Sequence, residues 1–160
     1  MAELYTLTLS GVAPGASATK GLLYVPSPST QAYRLVSLDI SMDGSTSTAF
    51  WPLFEVQVWS GAFTAPTGGT AITANKGNGE AQNKTALVTG AKKGTFTAEI
   101  TGGSNFTAKS KYLPTGSALP YQWPLGREGL YIPPSAALYV RVTTPASFAM
   151  NVAIDAETEE

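Results

Sequence analysis

The chain contains no cysteine and no histidine among its 160 residues. The first absence excludes disulfide frameworks and thiolate nucleophiles, the second excludes every His-dependent triad, and together they exclude zinc sites of the Cys/His type. No cofactor is therefore expected. Charge is also scarce. Only 13% of residues are charged and the formal net charge is −1, so no global field favours nucleic acid or an anionic membrane surface. No run of about 18 apolar residues offers a helix that spans a membrane. The stretch Met1-Ala2-Glu3-Leu4-Tyr5-Thr6-Leu7-Thr8-Leu9 has no basic residue before its apolar part and alternates like a strand, so it does not read as a signal peptide, and synthesis in a cytoplasm is expected.

What is present is a strand-forming composition. Hydrophobic residues make up 43% of the chain, enough for one ordinary core, and a single domain over 1–160 is expected. Sixteen glycines, 11 prolines, 20 threonines and 14 serines argue against long helices. Alternation of large apolar with polar residues marks the strands. Either Leu4 or Tyr5 starts the buried face of the first one. Leu22 to Val25 follows and is ended by Pro26-Ser27-Pro28-Ser29. Val36, Leu38, Ile40 and Met42 then oppose Leu35, Ser37, Asp39 and Ser41, and Phe54, Val56 and Val58 oppose Leu53, Glu55, Gln57 and Trp59.

Between Ser60 and Ala118 only 9 of 59 residues are large apolar or aromatic, which predicts a loop-rich elaboration with short strands near Thr70–Ala74, Thr85–Thr89 and Thr95–Thr101. Beyond it, Leu138, Val140 and Val142 face inward against Tyr139, Arg141 and Thr143. Thr144-Pro145-Ala146 turns the chain, and Phe148, Met150, Val152 and Ile154 alternate again, a pattern that predicts a hairpin. Residues 1–32 read as an N-terminal arm with the first strands. Asp155, Glu157, Glu159 and Glu160 read as an acidic tail over 155–160, against six lysines between Asn75 and Lys111. Many short strands with Gly/Pro/Ser punctuation and no helical periodicity predict an all-β, antiparallel β-sandwich of jelly-roll or TNF-like type with a long loop-rich middle.

No motif supplies an enzyme. Ser17-Ala18-Thr19-Lys20 matches the S-x-x-K pattern of serine–lysine acylases, but the companion S-D-N and K-T-G motifs are absent. Asp39, Asp43, Glu55 and Glu128 are too scattered for a calcium loop, and nothing in their spacing pairs two of them as glycosidase carboxylates. Gly90-Ala91-Lys92-Lys93-Gly94-Thr95 lacks phosphate-loop spacing and a following helix, and reads as a basic hairpin turn.

Aromatics are the remaining lead, because tyrosine and tryptophan anchor both protein interfaces and sugar platforms. Trp59 and Tyr139 lie on the strand faces opposite the apolar rows and are expected to be exposed. With Arg141, Tyr121 and Trp123 they form the candidate interface set. Trp51, Tyr121 and Trp123 form an alternative set of sugar-stacking residues.

The segment Tyr121-Gln122-Trp123-Pro124-Leu125-Gly126-Arg127-Glu128, followed by Leu130-Tyr131-Ile132-Pro133-Pro134-Ser135 and by the alternating run from Leu138 to Ile154, resembles small virion proteins of tailed bacteriophages. With Tyr33 to Gly61 the likeness extends over about half the chain. It implies a jelly-roll decoration, or cement, protein: a non-enzymatic homotrimer on the capsid exterior whose partners are the major capsid protein and its own copies, with no nucleic acid or membrane. The expected location is the capsid surface of a virion. In that setting the strand from Met1 to Ser10 is expected to be free to pair with a capsid edge. A carbohydrate-binding module of a tail fibre is the competing expectation.

Overall fold

The computed structural model describes residues 4–44, 50–76, 89–115, 121–122 and 129–160. Twelve strands and no helix occur among them: β1 Leu4–Val12, β2 Thr19–Pro26, β3 Tyr33–Asp43, β4 Leu53–Thr64, β5 Thr67–Ala71, β6 Asn75–Lys76, β7 Lys92–Ala98, β8 Thr101–Tyr112, β9 Tyr121–Gln122, β10 Leu130–Ile132, β11 Ala137–Thr143 and β12 Asn151–Glu159. They form two antiparallel sheets. The first runs in the order β10-β3-β12-β1-β6, with β9 also pairing β3, and the second runs β5-β7-β2-β11-β4-β8. The all-β sandwich expected from the alternation is the fold observed.

The main core lies between the sheets. Tyr5, Leu7 and Leu9 of β1 meet Leu22, Leu23 and Val25 of β2, Phe54, Val56 and Val58 of β4, and Leu138, Val140 and Val142 of β11. The open register of β1 is settled by Leu4, which is 43% exposed while Tyr5 is buried. The two sheets are also tied by a polar contact, in which the buried Tyr33 hydroxyl donates to the Val25 carbonyl at 2.8 Å. At one end Thr144 joins the β1–β2 loop to the end of β11. Its hydroxyl donates to the Gly15 carbonyl at 2.7 Å and accepts from the Ala18 N–H at 3.0 Å.

Several expectations change. The run from Leu138 to Ile154 is not a hairpin, because β11 pairs with β2 and β4 whereas β12 pairs with β1 and β3. The connection instead crosses from one sheet to the other, burying Phe148 and Met150 on the way. Alternation fixes which residues point inward, and two consecutive strands can satisfy it from opposite sheets as well as side by side. Residues 155–160 are not a free tail, since Asp155 to Glu159 complete β12 with Ala156 and Thr158 buried. Nor do the described first residues form a free arm: β1 pairs with β12 from Leu4 to Val12, and on its other side Tyr5 and Thr6 pair with β6. On β3 the inward set begins with Tyr33 and Leu35 and resumes at Leu38 and Ile40, leaving Val36 38% exposed. A register shift against β12 between Glu157 and Thr158 swaps the face there, as a bulge does.

The middle region is more strand than loop. It contributes the last residues of β4 and all of β5, β6, β7 and β8, the last a 12-residue strand that its low apolar content concealed. Lys92 to Thr95 belong to β7 and not to a hairpin turn, and the strand expected at Thr85–Thr89 falls largely outside the described residues.

Candidate functional site

The centre of the second sheet, around Tyr24, Trp59 and Tyr139, is covered on both faces, which decides the fate of two expected interface residues. Along β11 the odd-numbered residues point away from the main core. Tyr139 lies directly between Tyr24 and Gln57, and Ala137 lies beside Trp59. These side chains form a second apolar cluster with Phe96 of β7 and Ile100 of the β7–β8 connection. β7 pairs with β2 only at Lys92 and Lys93, and beyond Gly94 it carries Phe96 over the outer face. The Phe96 ring stacks on Tyr139 at 5.8 Å and 26°. Trp59 is thereby 8% exposed and Tyr139 1% exposed. Both are corrected from exposed anchors to interior residues. The inward assignment of Val56, Val58, Leu138 and Val140 stands, because a second layer covers what alternation left outside.

A carboxylate closes this second cluster. Glu99 accepts hydrogen bonds from the Gly21 N–H at 2.9 and 3.2 Å and from the Tyr139 hydroxyl. Burial, then the hydrogen bond to Glu99 and its charge, push the Tyr139 hydroxyl well above the usual tyrosine range. Tyr139 is thus a neutral donor throughout the physiological range. Gln57 accepts from the Trp59 indole N–H at 3.0 Å, so the buried indole is satisfied within the chain. Arg141 faces outward but pairs with Glu55 directly across the strands, Nε to Oε2 at 2.6 Å. Its guanidinium is engaged within the chain and is not a free interface cation.

The exposed aromatics lie elsewhere. Phe50 is 75%, Trp51 51% and Tyr112 60% exposed. Tyr112 stands opposite Leu53, and the next residue, Leu113, donates its N–H to the Pro52 carbonyl at 3.1 Å. The backbone therefore brings Phe50, Trp51 and Tyr112 to one end of the β4–β8 pair. Isolated exposed aromatics are ordinary, and three at one corner of a sheet make this corner a candidate surface. β8 extends this surface as the last strand of its sheet, with Phe106 56% exposed and Lys109 exposed on it. Of the sugar-stacking set, Trp51 has the expected exposure. Tyr121 is described only through its backbone, where β9 pairs it with Ile40, and Trp123 lies outside the described residues. Tyr112 and Phe106 were missed because Thr101–Tyr112 has too little bulk to read as a strand. The one available signal was Phe106-Thr107-Ala108 between serine and lysine alternation.

The outer face of the first sheet is chemically different. Asp39 of β3 lies directly opposite Asp155 of β12, with Glu157 nearby and held by the Ser37 hydroxyl at 3.0 Å. Partial burial, then the charges of Asp155 and Glu157, raise the Asp39 carboxyl above the usual range. Among the described residues no group of three or more acidic side chains is arranged to hold a metal ion. At the end of this face a shallow cleft is lined by Ala32, Tyr33, Arg34, Tyr131, Glu159 and Glu160. Comparison with protein-family models, with curated proteins and with solved structures gives no match.

Proposed function

We propose that the chain is a non-enzymatic structural protein of a tailed-phage virion, which decorates the capsid exterior as a homotrimer and holds the shell through its aromatic corner. The observation that carries this reading is the grouping of Phe50, Trp51 and Tyr112 at the end of β4 and β8, beside an edge strand that bears Lys109. Buried aromatic anchors with a basic or polar rim are the usual energetic centre of a protein interface. The strand order supports the reading at the level of architecture. β1 to β4 alternate between the two sheets, and the order β10-β3-β12-β1 facing β2-β11-β4-β8 supports a jelly-roll reading, an architecture used by viral capsid and lectin domains. That link is analogy at the level of fold and carries no residue role. The resemblance of Tyr121 to Ser135 to phage virion proteins adds to it.

The partners of this reading are the major capsid protein and two further copies of the chain. The test is native mass spectrometry together with co-sedimentation on phage shells assembled without the protein. A trimer that binds shells is expected, and the double variant Trp51→Ala, Tyr112→Ala should weaken shell binding by up to about 1,000-fold, as the loss of two anchors of about 2 kcal/mol each implies. Monomers that ignore the shells would overturn it. The half-exposed Trp51 also favours a second reading, a carbohydrate-binding module of a tail fibre, in which Trp51→Ala abolishes glycan-array binding while shells are never bound.

A further inference from the structure

The cleft on the first sheet is built by register. Tyr131 of β10 lies directly across from Arg34 of β3, and Arg34 directly across from Glu159 of β12. The neighbouring Tyr33 and Ile132 are buried, so alternation turns Tyr131, Arg34 and Glu159 to the outside in one transverse row. The guanidinium carbon of Arg34 sits 5.6 Å from the Tyr131 ring centroid, which fixes the cation over one face of the ring. Tyr131 is nevertheless 50% exposed. Ala32 adds little bulk to the lining, Glu160 adds a second carboxylate, and the open cleft offers about 230 Å³.

We infer that this cleft binds one sugar ring of a neutral saccharide, with Tyr131 as the stacking platform, Arg34 as donor and Glu159 as acceptor. The chemistry follows by elimination. A lysine or arginine from a partner gains little from the Tyr131 ring, because Arg34 already holds the cation position on it. An anion meets the carboxylates of Glu159 and Glu160. A pyranose offers what remains: a C–H face for the exposed part of the ring, and hydroxyls that both donate to a carboxylate and accept from a guanidinium. The volume is below the roughly 300 Å³ at which drug-sized ligands begin to fit, and suits a single ring. The inference goes beyond the capsid reading and stands without it, because the cleft and the aromatic corner lie on different sheets.

The experiment is saturation-transfer NMR on the full chain with the methyl glycosides of glucose, galactose, mannose and N-acetylglucosamine, each at about 50 mM, a concentration that fills most sites even at a Kd of about 10 mM. Transfer to the ring C–H protons of at least one glycoside is expected. Tyr131→Ala should weaken it roughly tenfold or more, Tyr131→Phe should retain it, Glu159→Gln should weaken it severalfold, and Trp51→Ala should leave it unchanged, with dispersed amide spectra confirming that each variant folds. The inference is overturned by absence of transfer from all four glycosides or by transfer that survives Tyr131→Ala. Loss in Trp51→Ala overturns it too, as that places the sugar at the other corner. Perturbation of the Tyr131 and Glu159 signals by N-acetyl-lysine amide and not by any glycoside overturns it in favour of a cationic side chain.

Discussion

Replacing Phe96 by alanine tests whether the second apolar layer is part of the fold or an ornament on it. Phe96 is 2% exposed, stacks on Tyr139, and is backed by Gly69, where an added Cβ would meet the ring at 2.8 Å. Deleting a buried phenylalanine costs about 3–5 kcal/mol when the surroundings cannot collapse. Here β5 above it is exposed along its whole length, so water can reach part of the cavity and the lower end, about 3 kcal/mol, is expected. For a chain of this size 1 kcal/mol corresponds to roughly 2–4 °C, which gives a fall in Tm of about 6–12 °C. The same substitution should uncover Trp59. Acrylamide quenching in a Trp51→Phe, Trp123→Phe background reports on that indole alone, since the chain has three tryptophans. Calorimetry should show the lower Tm, and quenching should rise toward that of a partly exposed indole. A Tm shift below about 2 °C with Trp59 still shielded would refute the claim that β7 seals the outer face.

Two further outcomes follow from buried or crowded polar groups. Thr158 is fully buried in β12 and its hydroxyl has no hydrogen-bond partner among the described residues, so Thr158→Val should raise stability by about 1 kcal/mol in urea denaturation, and a loss of stability would show that the hydroxyl is satisfied. Asp39 has a carboxyl raised by desolvation and by Asp155 and Glu157. Its ionised form is therefore disfavoured in the folded chain, and its contribution is most favourable below the usual carboxylate range and is lost as pH rises through the raised folded value. Asp39→Asn should accordingly stabilise the protein at pH 7 by about 0.2–1 kcal/mol, and by nothing measurable at pH 3, in paired urea titrations; an equal gain at both pH values would locate the effect outside the charge pair.

The inward face of each long strand was legible from residue order because one physical rule, the two-residue period of a half-buried strand, acts locally. It identified Phe54, Val56 and Val58, and likewise Leu138, Val140 and Val142, as core. It failed on β3, where a bulge moved Leu35 inside and Val36 outside, since one inserted residue reverses the period without leaving a compositional mark. Partner choice was not legible at all. The seven residues between β11 and β12 have the turn chemistry of a hairpin, yet they cross between sheets, with β12 pairing β1 and β3 and β11 pairing β2 and β4. Of the candidate site, Trp51 was legible from its neighbours Phe50 and Pro52, whereas Tyr112 and Tyr131 depend on long-range pairing.

The misassignment of Trp59 and Tyr139 has the same origin, and it shows where a signal did exist. Large aromatics on the polar face of a strand must be covered, and the chain can supply the cover itself as readily as a partner can. Here the cover is Phe96-Thr97-Ala98-Glu99-Ile100, which has few apolar residues but places two of them, and one carboxylate, over the sheet. Its trace in the sequence is glycine. Gly21 stands inside β2 with no positive φ to require it, and a Cβ there would meet the Tyr139 hydroxyl at 1.8 Å and Phe96 at 2.8 Å. A glycine within a strand and without a turn marks close approach by another group. In this chain the approaching groups are an aromatic pair and the carboxylate that bonds the Gly21 N–H. The glycine, Phe96 and Glu99 together specify that Tyr139 points into the protein, which moves the exposed aromatic surface to Trp51, Tyr112 and Tyr131.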